Sequence, residues 1–483
     1  MTARRLLKSS MVYTASDVLQ KGTALLLIPL YTRYLGSDGY GVLTVVAALN
    51  GFLAILFTLS LPAAVARYYF EYQDRPEKLR VFWGTQITFI LIVTVVAGGV
   101  LLVFGNSLLA PLVGKVSYSP YIIIGVLTAI AQPLFQVLLA ILQIREQAPL
   151  YAILNLINFS INIILAVAFV ALLGWGVIGP LMAALATAVI FLGVSIWFIR
   201  RDVQFGIDRE CLAVGLRYSL PLVPHAIAGT LVAMGDRLLI NGIAGTSSAG
   251  IYAVAFQLAV PVLLLTDSMN RAYVPIAMRA LKAGDRPLLN KLPSIALYMV
   301  AAYCAVALTL SAFSREIVSA IATTSFLPAS EVLPLIAFAF VLNGVYYVYV
   351  NIMFFQPGAT RLIPLGTLVG GVASVALNVV LIKRYDLTGA ALAMLFAQCL
   401  TVIFVARIAY KLEPVRWPTT RFAMLVGSGL FFALVAQAAN GLSFVQALLT
   451  KCFVVLAGLL TLLGLAGGSA RRVRDALWAL RSA

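Results

Sequence analysis

About fourteen stretches of predominantly apolar residues, each near 20 residues long, follow one another along this chain. They fall at about 11–34, 40–66, 82–105, 119–144, 150–173, 175–199, 217–242, 249–273, 292–312, 331–355, 361–383, 387–410, 421–440 and 446–468. Inside hydrocarbon, backbone N–H and C=O groups must be satisfied within a segment or by a closed barrel. The stretches lack the strict alternation of barrel strands, so helices are selected. With 62% hydrophobic and 11% charged residues and a mean hydropathy of +1.02, the 483-residue chain carries more apolar surface than a soluble domain can hide. The expected fold is an all-α polytopic membrane protein of about 14 transmembrane helices.

The first six helices recur, in order, about 209–216 residues later. Leu35-Gly36-Ser37-Asp38-Gly39-Tyr40-Gly41-Val42 matches Ala244-Gly245-Thr246-Ser247-Ser248-Ala249-Gly250-Ile251: apolar, Gly, hydroxyl, three residues, Gly, apolar. Asp74-Arg75-Pro76 answers Asp285-Arg286-Pro287, and Asn162 before Gly179-Pro180 answers Asn378 before Gly389-Ala390. Three matches in order at nearly one offset point to duplication, hence two six-helix lobes with pseudo-two-fold symmetry plus two extra helices. The expected division is 1–199 for the N-terminal lobe, 200–216 for a cytoplasmic linker that lets two rigid bodies move, and 217–410 for the C-terminal lobe. Helices thirteen and fourteen occupy 411–470 and are expected on the outside, and 471–483 is a basic cytoplasmic tail, either amphipathic on the membrane or solvated. Membrane proteins built from two like halves usually hold their substrate between them and rock to give alternating access.

The formal charge of +17, from 34 Lys and Arg against 17 acids, is concentrated in alternate connections. These are the start, 67–80, 145, 200–217, 271–291, 361, 407–421 and the tail from Arg471. This positive-inside pattern puts both termini in the cytoplasm. The charge therefore belongs to the membrane surface, and nucleic acid is not an expected partner. Cys211, Cys304, Cys399 and Cys452 are isolated, lack metal-ligand spacing and read as packing residues. A short basic start running straight into a long apolar helix reads as a retained first span. There is no Asp-x-Asp motif and no long outer loop, so enzymatic activity and a cofactor are not expected.

An ionisable residue deep in a span costs about 2.5–3.5 kcal/mol on insertion scales and calls for a reason. Asp17 and Lys21 share a face of helix one, and Asp267 and Arg271 share one on helix eight, each at i, i+4 spacing. These are either self-neutralising pairs with snorkelling cations or the lining of a cavity. Arg67 and Arg145 close helices two and four; helix seven carries Asp236-Arg237 and His225, the one histidine. Uncharged stripes form a second pattern: Asn155, Asn158 and Asn162 on helix five, Gln132 and Gln136 on helix four, and Asn343, Tyr347 and Asn351 on helix ten. Such stripes serve either as interhelical glue or as a wet groove where sugar hydroxyls meet amides and aromatic faces.

Met234-Gly235-Asp236-Arg237-Leu238-Leu239-Ile240, running on to Gly250-Ile251-Tyr252-Ala253-Val254-Ala255, resembles the seventh and eighth helices of bacterial polysaccharide-export flippases. Ile28-Pro29-Leu30-Tyr31-Thr32-Arg33-Tyr34-Leu35-Gly36, followed by Tyr40-Gly41-Val42, is similar to their first two helices. The family is the O-antigen-type oligosaccharide flippase branch of the multidrug/oligosaccharidyl-lipid/polysaccharide transporter superfamily. The resemblance implies a bacterial inner-membrane protein that turns a polyprenyl-pyrophosphate-linked glycan from the cytoplasmic to the outer leaflet for O-antigen, exopolysaccharide or capsule synthesis. It also implies work beside the polymerase and chain-length proteins of the same pathway. A multidrug/cation antiporter and a peptidoglycan lipid-precursor flippase are the alternatives within the superfamily. A pyrophosphate cannot cross hydrocarbon unpaired, so basic residues inside the spans are its expected partners. Depth and charge select Lys21, Arg67 and Arg271, with Arg145 and Arg237 behind them, and Gln136, Asn158, Asn343 and Tyr347 for the sugars. Asp17, Asp267 and His225 are the candidates for a coupling proton or sodium ion.

Overall fold

The computed structural model describes residues 3–283, 286–355, 362–412 and 417–467, with side chains in the first helix described from Leu25 onward. Every described element is helical, and contacts divide the chain into two compact units that part at Gly250–Ile251. Unit 1 holds α1 (Ala3–Thr58), α2 (Leu61–Tyr72), α3 (Pro76–Leu108), α4 (Ala110–Val113), α5 (Ile123–Ala131), α6 (Pro133–Ile144), α7 (Ala148–Val167), α8 (Ile178–Ile199), α9 (Arg209–Ser219), α10 (Val223–Ile243) and the start of α11 (Thr246–Ala283). Unit 2 holds the rest of α11, α12 (Arg286–Leu289), α13 (Leu292–Ala312), α14 (Ser314–Ile321), α15 (Ala329–Phe355), α16 (Ile363–Leu412), α17 (Thr419–Ala438) and α18 (Phe444–Leu465). By packing, α10 belongs with α1; the division by contacts therefore falls later in the chain than the repeat boundary at 217.

Twelve of these helical stretches are long and apolar enough to cross a membrane. Two of them are double. The helix over Leu25–Thr58 turns at Gly36 (φ 66°, ψ −176°), and that over Leu368–Leu412 turns at Asp386 (φ 49°, ψ −125°). At about 1.5 Å rise per residue, neither would fit one bilayer straight. Counting each as two crossings restores the fourteen expected from the sequence. Prolines interrupt two expected spans. The span at 40–66 breaks at Leu59–Ser60 just before Pro62, and the span at 119–144 breaks at Gln132–Pro133. In each case the proline lacks the N–H that would continue the ladder, so a new helix starts there.

The repeated loops meet each other. Gly36 and Gly245 both adopt positive φ (66° and 104°), which turns the chain out of one helix and into the next. Ser37 Oγ and Ser247 Oγ are 2.7 Å apart in a hydrogen bond. A Cβ on Gly41 would overlap the Thr246 carbonyl, and one on Gly250 would overlap the Ser37 carbonyl. Each copy therefore presses its second glycine against the backbone that follows the other copy's first glycine. Such reciprocity is the local signature of two like motifs packed on each other.

In unit 1, Leu61 and Val65 of α2, Phe82 and Trp83 of α3, and Val137 of α6 make a core at the basic end, where Trp83 Nε1 donates to the Val65 carbonyl at 3.1 Å. Residues of the expected linker, 200–216, are strapped over this core. Gln204 N donates to the Arg80 carbonyl (3.1 Å), Asp208 N to Thr85 Oγ1 (3.1 Å), and Gln86 Nε2 to the Cys211 carbonyl (2.7 Å). Arg145 Nη1 reaches Asp202 Oδ2 at 2.6 Å. The physical reason is local: exposed polar backbone at the start of a helix finds donors and acceptors on the adjacent α3. Asp208 caps α9 by accepting from Cys211 N at 2.8 Å, and this bond to the Cys211 backbone holds its carboxyl below the usual carboxylate range. The cap is therefore present above that range and lost as pH falls through the lowered value. Amide exchange at Cys211 in the wild type and in Asp208→Ala should differ near neutrality and converge in acid; equal exchange at both pH values would remove the cap from the account.

In unit 2, α15 is buried on all sides from Val332 to Val341, so its hydrophobic run has no polar face. α13 and α16 pack along it, and α17 and α18, the two helices without a counterpart in the repeat, rest on α13. A polar clasp fixes them there: Lys451 Nζ, fully buried, donates to Glu316 Oε1 (2.6 Å) and Oε2 (2.8 Å). Gln437 Nε2 donates to Ser314 Oγ (3.2 Å), and Arg315 Nη1 donates to the Asn440 carbonyl (2.8 Å).

Candidate functional site

The amide stripes of helices four and five converge in unit 1. Gln132 and Gln136 at the α5–α6 break, and Asn158 and Asn162 on α7, line one cleft of about 190 Å³ whose far wall is α8. Ala184 and Ala188 leave the room, Thr187 supplies a hydroxyl, and Phe135 and Phe191 meet edge to face with centroids 4.8 Å apart. The Thr187 hydroxyl donates to the Ala183 carbonyl of its own helix. None of the four cleft amides makes a side-chain hydrogen bond to another described residue. Only Asn155, one turn before Asn158, is bonded, to the Tyr151 carbonyl at 3.0 Å. In hydrocarbon, an unpaired amide costs several kcal/mol, so these groups face water or a polar ligand.

The matching stripe in unit 2 has the opposite fate. Tyr347 Oη donates to Asp267 Oδ1 at 2.8 Å, Asn351 Nδ2 to Asn270 Oδ1 at 2.8 Å, and Gln398 Nε2 to Asn343 Oδ1 at 3.4 Å. These bonds tie α15 to α11 on one side and to α16 on the other. Here the stripe is bonded across helices. The Tyr303 hydroxyl on α13 is buried and lacks a hydrogen-bond partner among the described residues, and its ring packs over Gly344 of α15. A larger cavity of about 440 Å³, lined by Val345, Tyr349, Cys399, Ile403 and Phe422, is almost wholly apolar.

Of the cations expected to meet the anion, Arg67, Arg145 and Arg237 each have a carboxylate neighbour. The side chains of Asp17 and Lys21 lie outside the described residues. Arg67 is exposed, 3.9 Å from Glu71 and 5.7 Å above the Tyr68 ring. Arg145 is held by Asp202 and lies 4.9 Å from the Trp83 ring centroid, so it braces the strap. Arg237 is half-buried against its neighbour Asp236 (3.1 Å) and donates to the Ala233 carbonyl one turn back (2.8 Å). Arg271 is exposed on α11, one turn beyond Asp267. His225 is exposed at the start of α10 and makes no side-chain hydrogen bond with another described residue. Sequence reasoning missed Thr187, Phe135, Phe191, Asn270 and Gln398. Gln398 and Thr187 carried a readable signal, as polar residues inside apolar spans; the phenylalanines carried none.

A family model described as "Polysaccharide biosynthesis protein" matches residues 6–281. "Lsg locus putative protein 1" of Haemophilus influenzae is 25% identical over 399 residues, covering 80% of this chain and 94% of the relative. "Putative O-antigen transporter" of Shigella flexneri is 24% identical over 253 residues, covering 50% of this chain and 59% of the relative. Among solved structures, the lipid II flippase MurJ in its inward closed conformation superposes with a TM-score of 0.74 at 14% identity, over 94% of this chain and 98% of that one. An inward-facing multidrug resistance MATE family transporter of the MOP superfamily gives 0.61 at 16% identity, over 82% and 96%. These likenesses establish the fold. With more than half of its length matched by the family model, the chain belongs to the polysaccharide biosynthesis protein family.

Proposed function

We propose that this protein is a flippase that turns a polyprenyl-pyrophosphate-linked oligosaccharide from the cytoplasmic to the outer leaflet of the bacterial inner membrane by alternating access, without covalent chemistry. The observation that carries the reading is the unit 1 cleft, where four amides without protein partners among the described residues stand inside apolar helices. A glycan supplies the hydroxyls such amides lack, while its lipid tail stays in the bilayer. The name of the Shigella flexneri relative and the family of the chain agree with this cargo. An antiporter for cationic drugs is less well supported, because the described lining of the cleft holds no carboxylate.

In this reading Lys21, Arg67 and Arg271 are the first partners of the pyrophosphate, with Arg145 and Arg237, which lie against Asp202 and Asp236, behind them. Asp267, bonded to Tyr347, is the candidate for coupling to protons or sodium ions. The test is complementation. Expressed in a bacterium lacking its own polysaccharide flippase, the chain should restore displayed glycan, and Lys21→Ala or Arg271→Ala should abolish it at unchanged membrane abundance. Undiminished display in both variants would remove the pyrophosphate assignment, and no display with the wild type in any tested glycan background would remove the flippase reading.

A further inference from the structure

We infer that the unit 1 cleft is a subsite for a single uncharged sugar ring, a neutral hexose or an N-acetylhexosamine, and that it discriminates against acidic sugars. The inference rests on the flippase reading and specifies what that cargo must look like. Three observations carry it. The first is size: about 190 Å³ lies below the roughly 300–1,000 Å³ of sites for drug-sized ligands, which suits a single ring within the cleft.

The second is the inventory of polar groups. Gln132, Gln136, Asn158 and Asn162 each offer two N–H donors and a carbonyl acceptor, none of them committed to a described protein partner. Ring hydroxyls also donate and accept, so they match this set in several orientations, and an acetamido group pairs with a side-chain amide through both its N–H and its C=O. Phe135 adds an apolar face for the C–H side of a ring, held at its edge by the buried Phe191.

The third is charge. No Lys, Arg or His lines the cleft among the described residues, and the cation that closes α6, Arg145, is already paired with Asp202. A uronic or sialic carboxylate placed there would lose water without gaining a counter-charge, which is a large penalty in a membrane interior. A sugar with hydroxyls alone meets no such cost. The cleft therefore selects by charge first and by hydrogen-bond pattern second.

The experiment uses the full-length protein in vesicles of phosphatidylethanolamine and phosphatidylglycerol. Two short-chain polyprenyl-pyrophosphate glycans are compared, identical except that one hexose in the first is a hexuronic acid in the second, and leaflet exposure is read by glycosidase access. The uncharged glycan should turn about tenfold faster or more, the scale of one or two unpaired polar groups. Asn158→Leu with Gln132→Leu should slow the uncharged glycan about tenfold at an unchanged melting temperature, whereas Asn158→Lys should narrow or reverse the preference. Equal rates for the two glycans in the wild type overturn the subsite and leave the flippase reading standing. That comparison decides the matter even where a variant fails to fold. If the wild type turns neither lipid, the reading beneath the inference falls with it.

Discussion

Glu316→Ala is expected to destabilise the detergent-solubilised protein by about 3 kcal/mol, at the lower end of the range for breaking a buried ion pair because Glu316 keeps 30% exposure. Lys451 is the reason. It is fully buried, and among the described residues its ammonium donates to Glu316 alone. Removing the carboxylate strands a cation inside α13, α14 and α18. Lys451→Ala should cost less, since Glu316 is left with access to solvent. The double variant Glu316→Ala with Lys451→Met should recover most of the loss, because a buried pair is often no more stabilising than apolar residues of similar volume. Thermal unfolding of the four proteins separates these cases. A single variant as stable as the wild type would show that the clasp does not hold α17 and α18 in place.

A second large effect is expected at the repeated corner. A methyl group on Gly41 would run into the Thr246 carbonyl, and one on Gly250 into the Ser37 carbonyl. Both obstacles are backbone, which cannot swing aside as a side-chain tip can. Gly41→Ala and Gly250→Ala should each lie at the upper end of overpacking costs, about 3 kcal/mol, and lower the melting temperature by similar amounts because the contact is reciprocal. Ser37→Ala removes only the hydroxyl bond to Ser247 and should cost about 1 kcal/mol or less. If Gly41→Ala melts with the wild type, the close approach does not exist in solution.

These two sites also mark what was legible in the sequence. The corner was readable, because a Gly-hydroxyl-x-x-x-Gly pattern placed twice between apolar runs singles out a tight turn in each half. Its close contact was not, since reciprocal packing depends on how the helices assemble. The helices themselves were legible from apolar length, but the breaks at Pro62 and Pro133 were not, since Pro29, Pro261 and Pro334 lie inside unbroken helices. The Lys451–Glu316 pair joins residues 135 positions apart, so no periodicity announces it.

The amide stripes show the boundary most clearly. Asn158 and Asn162 on α7 read like Asn343 and Asn351 on α15, yet the first pair lines an open cleft and the second is bonded to or within reach of Asn270 and Gln398. Spacing places polar groups on one face of a helix. It does not say whether the facing helix brings alanines, as α8 does with Ala184 and Ala188, or further amides. The basic residues behaved likewise: Arg145 and Arg237 looked available for an anion but stand next to Asp202 and Asp236. Their partners had the right charge, and only tertiary placement could pair Arg145 with a residue 57 positions away.

Whether this bundle carries a lipid-linked glycan across the bilayer is tested most directly by vesicles that contain the purified protein. The measurement is transfer of a fluorescent polyprenyl-pyrophosphate oligosaccharide from one leaflet to the other. Transfer well above that of protein-free vesicles, and reduced in Asn158→Leu, is the expected result. A folded, correctly inserted protein that leaves the lipid in its original leaflet, whatever ion gradient is imposed, would contradict it.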